Sequence, residues 1–482
     1  MRSSKLKFST SQFIWYAMDL VFIVITLILQ LYNEDDVIWT IVGVLIFNCI
    51  FAMKKRERLP FLLFNITFFT FLLSRLVVLR IDGTTLLAEY STYTKEHVFF
   101  YLIIGLITIT IGQILYERMH KTRERLLIQA DFLCEEKWKL KNANLLFVIL
   151  ALYYITYPLS FLDIMDKAIF VGTHSYSSYY TEYSSRLPYI LAKIGSLNRI
   201  AFVLLLCVEH RRKKLLLPSI LYGVTAIISL GIGQRNIFVL DVLMFIVLIG
   251  YANAESIRYT GEQLYSKRLV ITVFSIIPFM IIFLGYWKYA RAGIPFEMGD
   301  IYNYFRDFFY SQGEQIGFFA NTVEFKAQIW EQTVPYTFSA PYNYFRNLFG
   351  LIDYGIYTAE NAYFGNSLAA TQFYITSPGS LIRGSGSGCC YLSELYFDFG
   401  VFGIVIGSLI IGYVLGGLQI RVGRSFYINA LVALMIRSII YIPRASYFDW
   451  IATPFNIWNV AIIIVVIAVV NILNKRHGMV MK

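Results

Sequence analysis

A chain of 482 residues that is 57% hydrophobic and only 15% charged falls outside the soluble globular class, because its apolar runs repeatedly reach the ~20 residues that cross a bilayer. The formal net charge of +11 raises nucleic acid as a partner. Basic residues packed into short loops between spans are, however, what membrane insertion requires, so no nucleic-acid role is expected.

Taken in chain order, the apolar runs predict an all-α polytopic integral membrane protein with about twelve transmembrane helices. They lie near 12–31, 37–53, 59–79, 97–116, 144–163, 188–208, 215–233, 236–253, 269–287, 395–420, 427–443 and 451–473. The first run follows a basic tail but is long and has no small-residue cleavage site after it, so it reads as a span and not as a leader. Orientation follows from the loops. Arg2, Lys5 and Lys7, the KKRER run at 54–58, the basic 117–143 segment, HRRKK at 210–214, Lys267 with Arg268, Arg421 with Arg424, and Lys475 with Arg476 all fall on one side. That side is cytoplasmic by the positive-inside rule, and both termini lie on it. The opposite side carries the LYNEDD turn, the tyrosine-rich 174–186 loop and one large extracytoplasmic loop. Three regions result: helices over 1–287, the large loop over 288–394, and helices over 395–482. Five cysteines, Cys49, Cys134, Cys207, Cys389 and Cys390, are odd in number and form neither a disulfide framework nor a zinc spacing.

Within the large loop the octets YNYFRDFF (302–309) and YNYFRNLF (342–349) nearly repeat. Each places aromatics at i, i+3 and i+7 with an arginine and amides opposite, the pattern of an interfacial amphipathic helix. Chance similarity in a chain that is 17% aromatic is the competing reading. Such rings suit the headgroup zone, which makes membrane lipids an expected partner, and they also stack on sugar faces.

Basic residues that break the charge rule carry the functional signal. Lys193, Arg199, Arg235, Lys288, Arg291, Arg437 and Arg444 lie in spans or at their outer ends. An arginine inside a span costs at least ~2.5 kcal/mol unless it faces a partner or a wet cavity. The outer acids, including Glu182, Asp300, Glu314, Glu394, Asp398 and Asp449, could pair with any one of these cations. Pairing with all of them would leave no site, so the cluster is read as a site for a lipid-borne phosphate. Arg235 sits in LGIGQRNIF, where Gly231 and Gly233 end one helix and Asn236 can begin the next. Backbone N–H groups beside a guanidinium suit phosphate, although a glycine turn between spans needs no function. Glu394 and Asp398 are i and i+4 in YLSELYFDFG and share a helix face, with Tyr396 between them in sequence. One of them could serve as a base or orient an acceptor hydroxyl; equally, each could be an acidic helix start. Neither a phosphate loop nor a metal-ligand spacing is present, so no cofactor and no metal are expected.

The outward GQRN turn, the KYARAG exit before the large loop and the run SELYFDFGVFGIVIGSLIIG after it resemble the Wzy-type O-antigen and repeat-unit polymerases of bacterial surface polysaccharide synthesis. The resemblance implies a multi-spanning glycosyltransferase of the bacterial cytoplasmic membrane, active on its outer face. It implies transfer of the growing glycan from its undecaprenyl diphosphate carrier onto the next lipid-linked repeat unit, with a chain-length co-polymerase as an open partner. The family's functional arginines match Arg235 and Arg291, while Arg437 and Arg444 match by position only. Beside the resemblance, Glu394 is the acid–base candidate, and Lys288, Arg199, Asp398 and Tyr396 complete the expected diphosphate and sugar contacts. Cleaving an anomeric bond from a diphosphate builds charge on the leaving group, which fixed, bidentate cations stabilise. Two alternatives stay open. An O-antigen ligase typically carries a functional histidine in its large loop, and 288–394 has none. A flippase would show two similar halves, which this chain does not.

Overall fold

The computed structural model describes Val37 to Val480 except residues 85–88, 132–137, 175–177, 210, 234, 262, 264–266, 291–294, 353 and 421–424. The regular elements among the described residues are all helical, as a lipid environment demands when each backbone N–H and C=O must find its partner within the segment. Nine of these helices are long and apolar enough to cross a membrane. The first of the described helices, α1 (Val37–Met53), is apolar but shorter than that. The nine are α2 (Arg56–Ile81), α3 (Thr92–His120), α4 (Ala143–Thr173), α5 (Tyr189–Val208), α6 (Arg212–Gly231) and α7 (Arg235–Ala254), followed after the large segment by α15 (Tyr391–Gly417), α16 (Phe426–Arg444) and α17 (Asp449–Lys475). Helix α8 (Lys267–Ala290) contributes the shorter apolar stretch Ser275–Tyr286. The expected run 12–31 lies outside the described residues. Among the described residues length and hydropathy therefore support nine spans, against about twelve expected over the whole chain.

Two hydrophobic clusters form the core. One gathers α1, α2, α3 and α15; the other gathers α4, α5, α6 and α17; α7 and α16 contribute to both. The most extensive helix pair is α3 with α15, and small residues make it possible. A Cβ on Gly112 would stand 2.1 Å from the Leu409 carbonyl oxygen, and one on Gly412 1.9 Å from that of Ile109. With Ser408, Gly412 and Gly416 at four-residue spacing, this is the close backbone approach that drives helix association in lipid. Buried amides add interhelical bonds. Thr110 Oγ1 donates to Asn48 Oδ1 (2.6 Å), and Asn48 Nδ2 donates to Asn65 Oδ1 (3.3 Å), joining α1, α2 and α3.

The segment between α8 and α15 folds into α9 (Ile301–Gln312), α10 (Gln315–Glu324), α11 (Ser339–Leu348), α12 (Ala359–Phe364), α13 (Leu368–Thr376) and α14 (Pro378–Ile382). It covers one end of the bundle. Helix α9 lies on α8, where a Cβ on Gly285 would be 1.8 Å from the Tyr304 carbonyl oxygen. Tyr90, just before α3, donates its hydroxyl to Asn321 Oδ1 of α10 (2.8 Å), and Ser91 Oγ donates to Glu324 (2.7 Å). The Ile457 N–H of α17 donates to the Tyr344 hydroxyl of α11 (2.6 Å).

The two near-identical octets therefore meet different fates, and the expectation of two surface-lying helices needs correction. The first buries Tyr304, Asp307 and Phe308 against the bundle, with Arg306 paired to Asp82. The second leaves Phe345, Leu348 and Phe349 exposed beside the start of α17. Glycines decide the difference, because Gly285 and, past the end of α9, Gly313 let the α9 backbone sink against its neighbours, and α11 has no such floor.

Substituting Gly412→Ala is expected to lower the unfolding temperature of the detergent-purified chain, because overpacking against backbone costs about 1–3 kcal/mol. Gly105→Ala, whose Cβ would come no closer than 3.4 Å to Leu392, should change it little. Equal shifts in the two variants would contradict the described α3–α15 approach.

Candidate functional site

Helix α6 ends on Gly231, and Gly233 takes a left-handed φ of 83°, a conformation open to glycine at no steric cost. The Arg235 N–H donates to the Gly233 carbonyl (3.0 Å), and α7 begins at Arg235, one residue earlier than the sequence reading placed it. From this position Arg235 Nη1 donates to the Leu284 carbonyl of α8 (3.2 Å), and Asn236 Nδ2 donates to the Tyr441 hydroxyl of α16 (3.3 Å). The end of α16 continues the same surface. Tyr441 packs edge-on against Phe71 of α2 (5.7 Å), the Arg444 guanidinium stands 5.8 Å over that ring, and Arg444 Nη1 donates to the Gln312 carbonyl at the end of α9 (3.3 Å). Arg235 and Arg444 thus border one region, roofed by the start of the large segment. The Lys288 side chain and residue Arg291 lie outside the described residues. Along α8, Lys288 follows Leu284 by one helical turn, about 6 Å.

Arg199 and Arg437 have a different occupation. Both hold Asp241 of α7: Arg437 Nε is 2.7 Å from Oδ1 and Arg199 Nε 3.3 Å from it. Asp241 was not among the acids weighed from the sequence, so the reading of these two arginines as open phosphate ligands is corrected to an internal ion triad. Two guanidinia against one carboxylate leave the triad one positive charge in excess. A carboxylate inside an apolar span is itself an anomaly that asks for a partner, and that signal was available in NIFVLDVL.

The acidic pair of α15 is also engaged. Glu394 is fully buried. Its Oε1 accepts from Ser339 Oγ (3.3 Å) and Cys389 Sγ (3.2 Å), and its Oε2 from the Tyr447 N–H (2.8 Å). Asp398 accepts from the N–H groups of Tyr336 (3.1 Å) and Thr337 (2.6 Å) and from Thr337 Oγ1 (2.6 Å). The shared face expected from their spacing exists, but it clamps the 336–339 turn onto α15, and no described arginine pairs with either carboxylate. Tyr396 is buried against Tyr101 (5.0 Å), with Lys326 Nζ 4.5 Å over its ring. Burial lowers the Lys326 ammonium pKa against the pull of Asp398. Burial likewise pushes the Cys390 thiol up to about 12 and that of Cys389 well above its ordinary range, so neither is a thiolate nucleophile at neutral pH.

The family described as O-antigen polysaccharide polymerase Wzy matches residues 11–477, nearly the whole chain. The chain belongs to the Wzy family. No curated protein and no solved structure matches it. A Wzy protein is a multi-pass membrane polymerase that acts on lipid-linked oligosaccharide repeat units. In this family member the expected site residues separate into three groups. Arg235 and Arg444 gather under the large segment, Arg199 and Arg437 are held by Asp241, and Glu394, Asp398 and Tyr396 belong to the contact between α15 and that segment.

Asp241→Asn is expected to destabilise this Wzy protein by about 3–5 kcal/mol, since it leaves two guanidinia without a counter-charge. Arg437→Met should cost less, because Arg199 and Asp241 remain as a one-to-one pair. Unfolding temperatures measured in one detergent check the order, and a milder Asp241→Asn would refute the triad as a structural tie.

Proposed function

We propose that the protein extends a surface polysaccharide on the outer face of the bacterial cytoplasmic membrane by transferring the growing glycan from undecaprenyl diphosphate to the next lipid-linked repeat unit. The observation that supports this reading is that Arg235 is held on the Leu284 carbonyl of α8 while Arg444 is held on the Gln312 carbonyl at the end of α9. A diphosphate leaving group develops negative charge as the anomeric bond breaks. Arginine forks, already ordered by carbonyl contacts and backbone turns, meet that charge without reorganising. In this proposal Arg235, Arg291, Lys288 and Arg444 hold the diphosphate. Arg199 and Arg437 supply a fixed positive field through their excess charge, and Glu394 and Asp398 keep the covering segment in place. Family membership favours this reading over a ligase or a flippase.

Because the donor is already activated on lipid, purified protein in vesicles should lengthen lipid-linked repeat units with no nucleotide sugar and with divalent metal chelated. A chemical step that needs either one removes the mechanism. Arg235→Lys keeps the charge but loses one of two charge-assisted hydrogen bonds, each worth about 1.5–3 kcal/mol. Turnover should then fall about ten- to a hundredfold, and wild-type turnover would reduce Arg235 to a diffuse charge. For the sidedness, a reporter fused after Arg346 should read as extracytoplasmic and one after Lys214 as cytoplasmic; the reverse at either position would place the site on the wrong face.

A further inference from the structure

Helix α2 is not α-helical throughout. Residues Phe69–Leu73 form a π-helical turn, an irregularity found disproportionately at functional sites. Its rings contact three neighbours: Phe69 meets Phe309 (6.0 Å), and Phe71 meets both Tyr441 and the Arg444 guanidinium. Directly after it, Ser74 Oγ donates to the Phe309 carbonyl (2.7 Å), and Arg75 lies against the turn between α9 and α10 so closely that a Cβ on Gly313 would be 2.4 Å from the Arg75 nitrogen. The Arg75 guanidinium stands 4.4 Å over the Tyr310 ring, and its Nη2 donates to the Tyr310 hydroxyl (2.9 Å). Its Nε is buried and has no hydrogen-bond partner. Among the described residues no carboxylate forms an ion pair with it: Asp82 and Asp307 both pair with Arg306, and Glu314, next to Gly313 in the same turn, makes no ion pair with Arg75.

A guanidinium with an unmade, buried N–H donor and no counter-charge is costly at the end of an apolar helix. What relieves it is an anion with several oxygens, since the planar fork is built for bidentate contact. The Gln312–Gly313 turn has Arg75 on one side and Arg444, through its bond to the Gln312 carbonyl, on the other. We infer that Arg75 is a substrate-binding residue that takes a phosphate oxyanion at this turn. The polymerase reading supplies the diphosphate of the lipid-linked substrate as that group, and the inference rests on that reading for the identity of the phosphate alone. An anionic phospholipid headgroup offers the same oxygens.

The test compares wild type, Arg75→Gln, Arg75→Lys and, as a control in the last turn of α2, Arg80→Gln. The full chain is reconstituted in phosphatidylcholine vesicles with and without phosphatidylglycerol. Thermal stabilisation by inorganic pyrophosphate is measured first, because it needs no turnover. Arg75→Gln should weaken pyrophosphate binding about tenfold, with Arg75→Lys intermediate and Arg80→Gln unchanged. In polymerisation, Arg75→Gln should raise KM for the lipid-linked repeat unit by a similar factor, with a smaller change in kcat. Stabilisation of wild type by phosphatidylglycerol that is lost in Arg75→Gln, with pyrophosphate binding unaltered, assigns the oxyanion to a lipid headgroup. Unchanged pyrophosphate binding, headgroup response and KM in Arg75→Gln overturn the inference. Absence of polymerisation by wild type would instead strike the proposed function, leaving the pyrophosphate measurement to decide Arg75.

Discussion

A single carboxylate, Asp241, lies between the guanidinia of Arg199 and Arg437 where α7 and α16 join the two hydrophobic clusters of the bundle. The Asp241 carboxylate is nearly shut off from water and is tolerable there only while it keeps a guanidinium partner. The triad therefore fixes α5, α7 and α16 relative to one another. That constraint sets the position of Arg235, nearly two turns before Asp241 at the start of α7, and of Arg444 at the end of α16. The cations proposed to hold the diphosphate inherit their geometry from a structural triad.

A second constraint acts on the backbone. Without a hydrophobic gain between helices in lipid, close approach through small residues is what holds elements together. Gly112 and Gly412 allow it within the bundle, and Gly285 and Gly313 allow it between the bundle and the covering segment. Asp398 then holds that segment to α15 through the Tyr336 and Thr337 N–H groups, and Glu394 does so through the Ser339 hydroxyl. The covering segment is consequently part of the fold and not an appended loop, and the end of α9 reaches Arg444 directly.

Helical class, the apolar runs and the turn at Arg235 were legible in the chain, because lipid dictates span length and glycine dictates where a helix can break. The occupation of the arginines was not. Arg437 reads as a lone cation near the end of its span until α7 is packed beside it, nearly two hundred residues away in sequence. Glu394 and Asp398 have the spacing of a shared face, yet spacing does not say what covers that face. The two octets are nearly the same string, and only the presence of glycine floors beneath one of them separates a packed helix from an exposed one.

Sequence by itself thus determined the class, the family resemblance and which residues were chemically out of place, since an apolar solvent penalises charge wherever the chain runs. Tertiary structure decided which of those charges neutralise one another, as Asp241 does with Arg199 and Arg437. Pairing energy depends on separations of a few ångströms, and those are set only when helices distant in sequence come together.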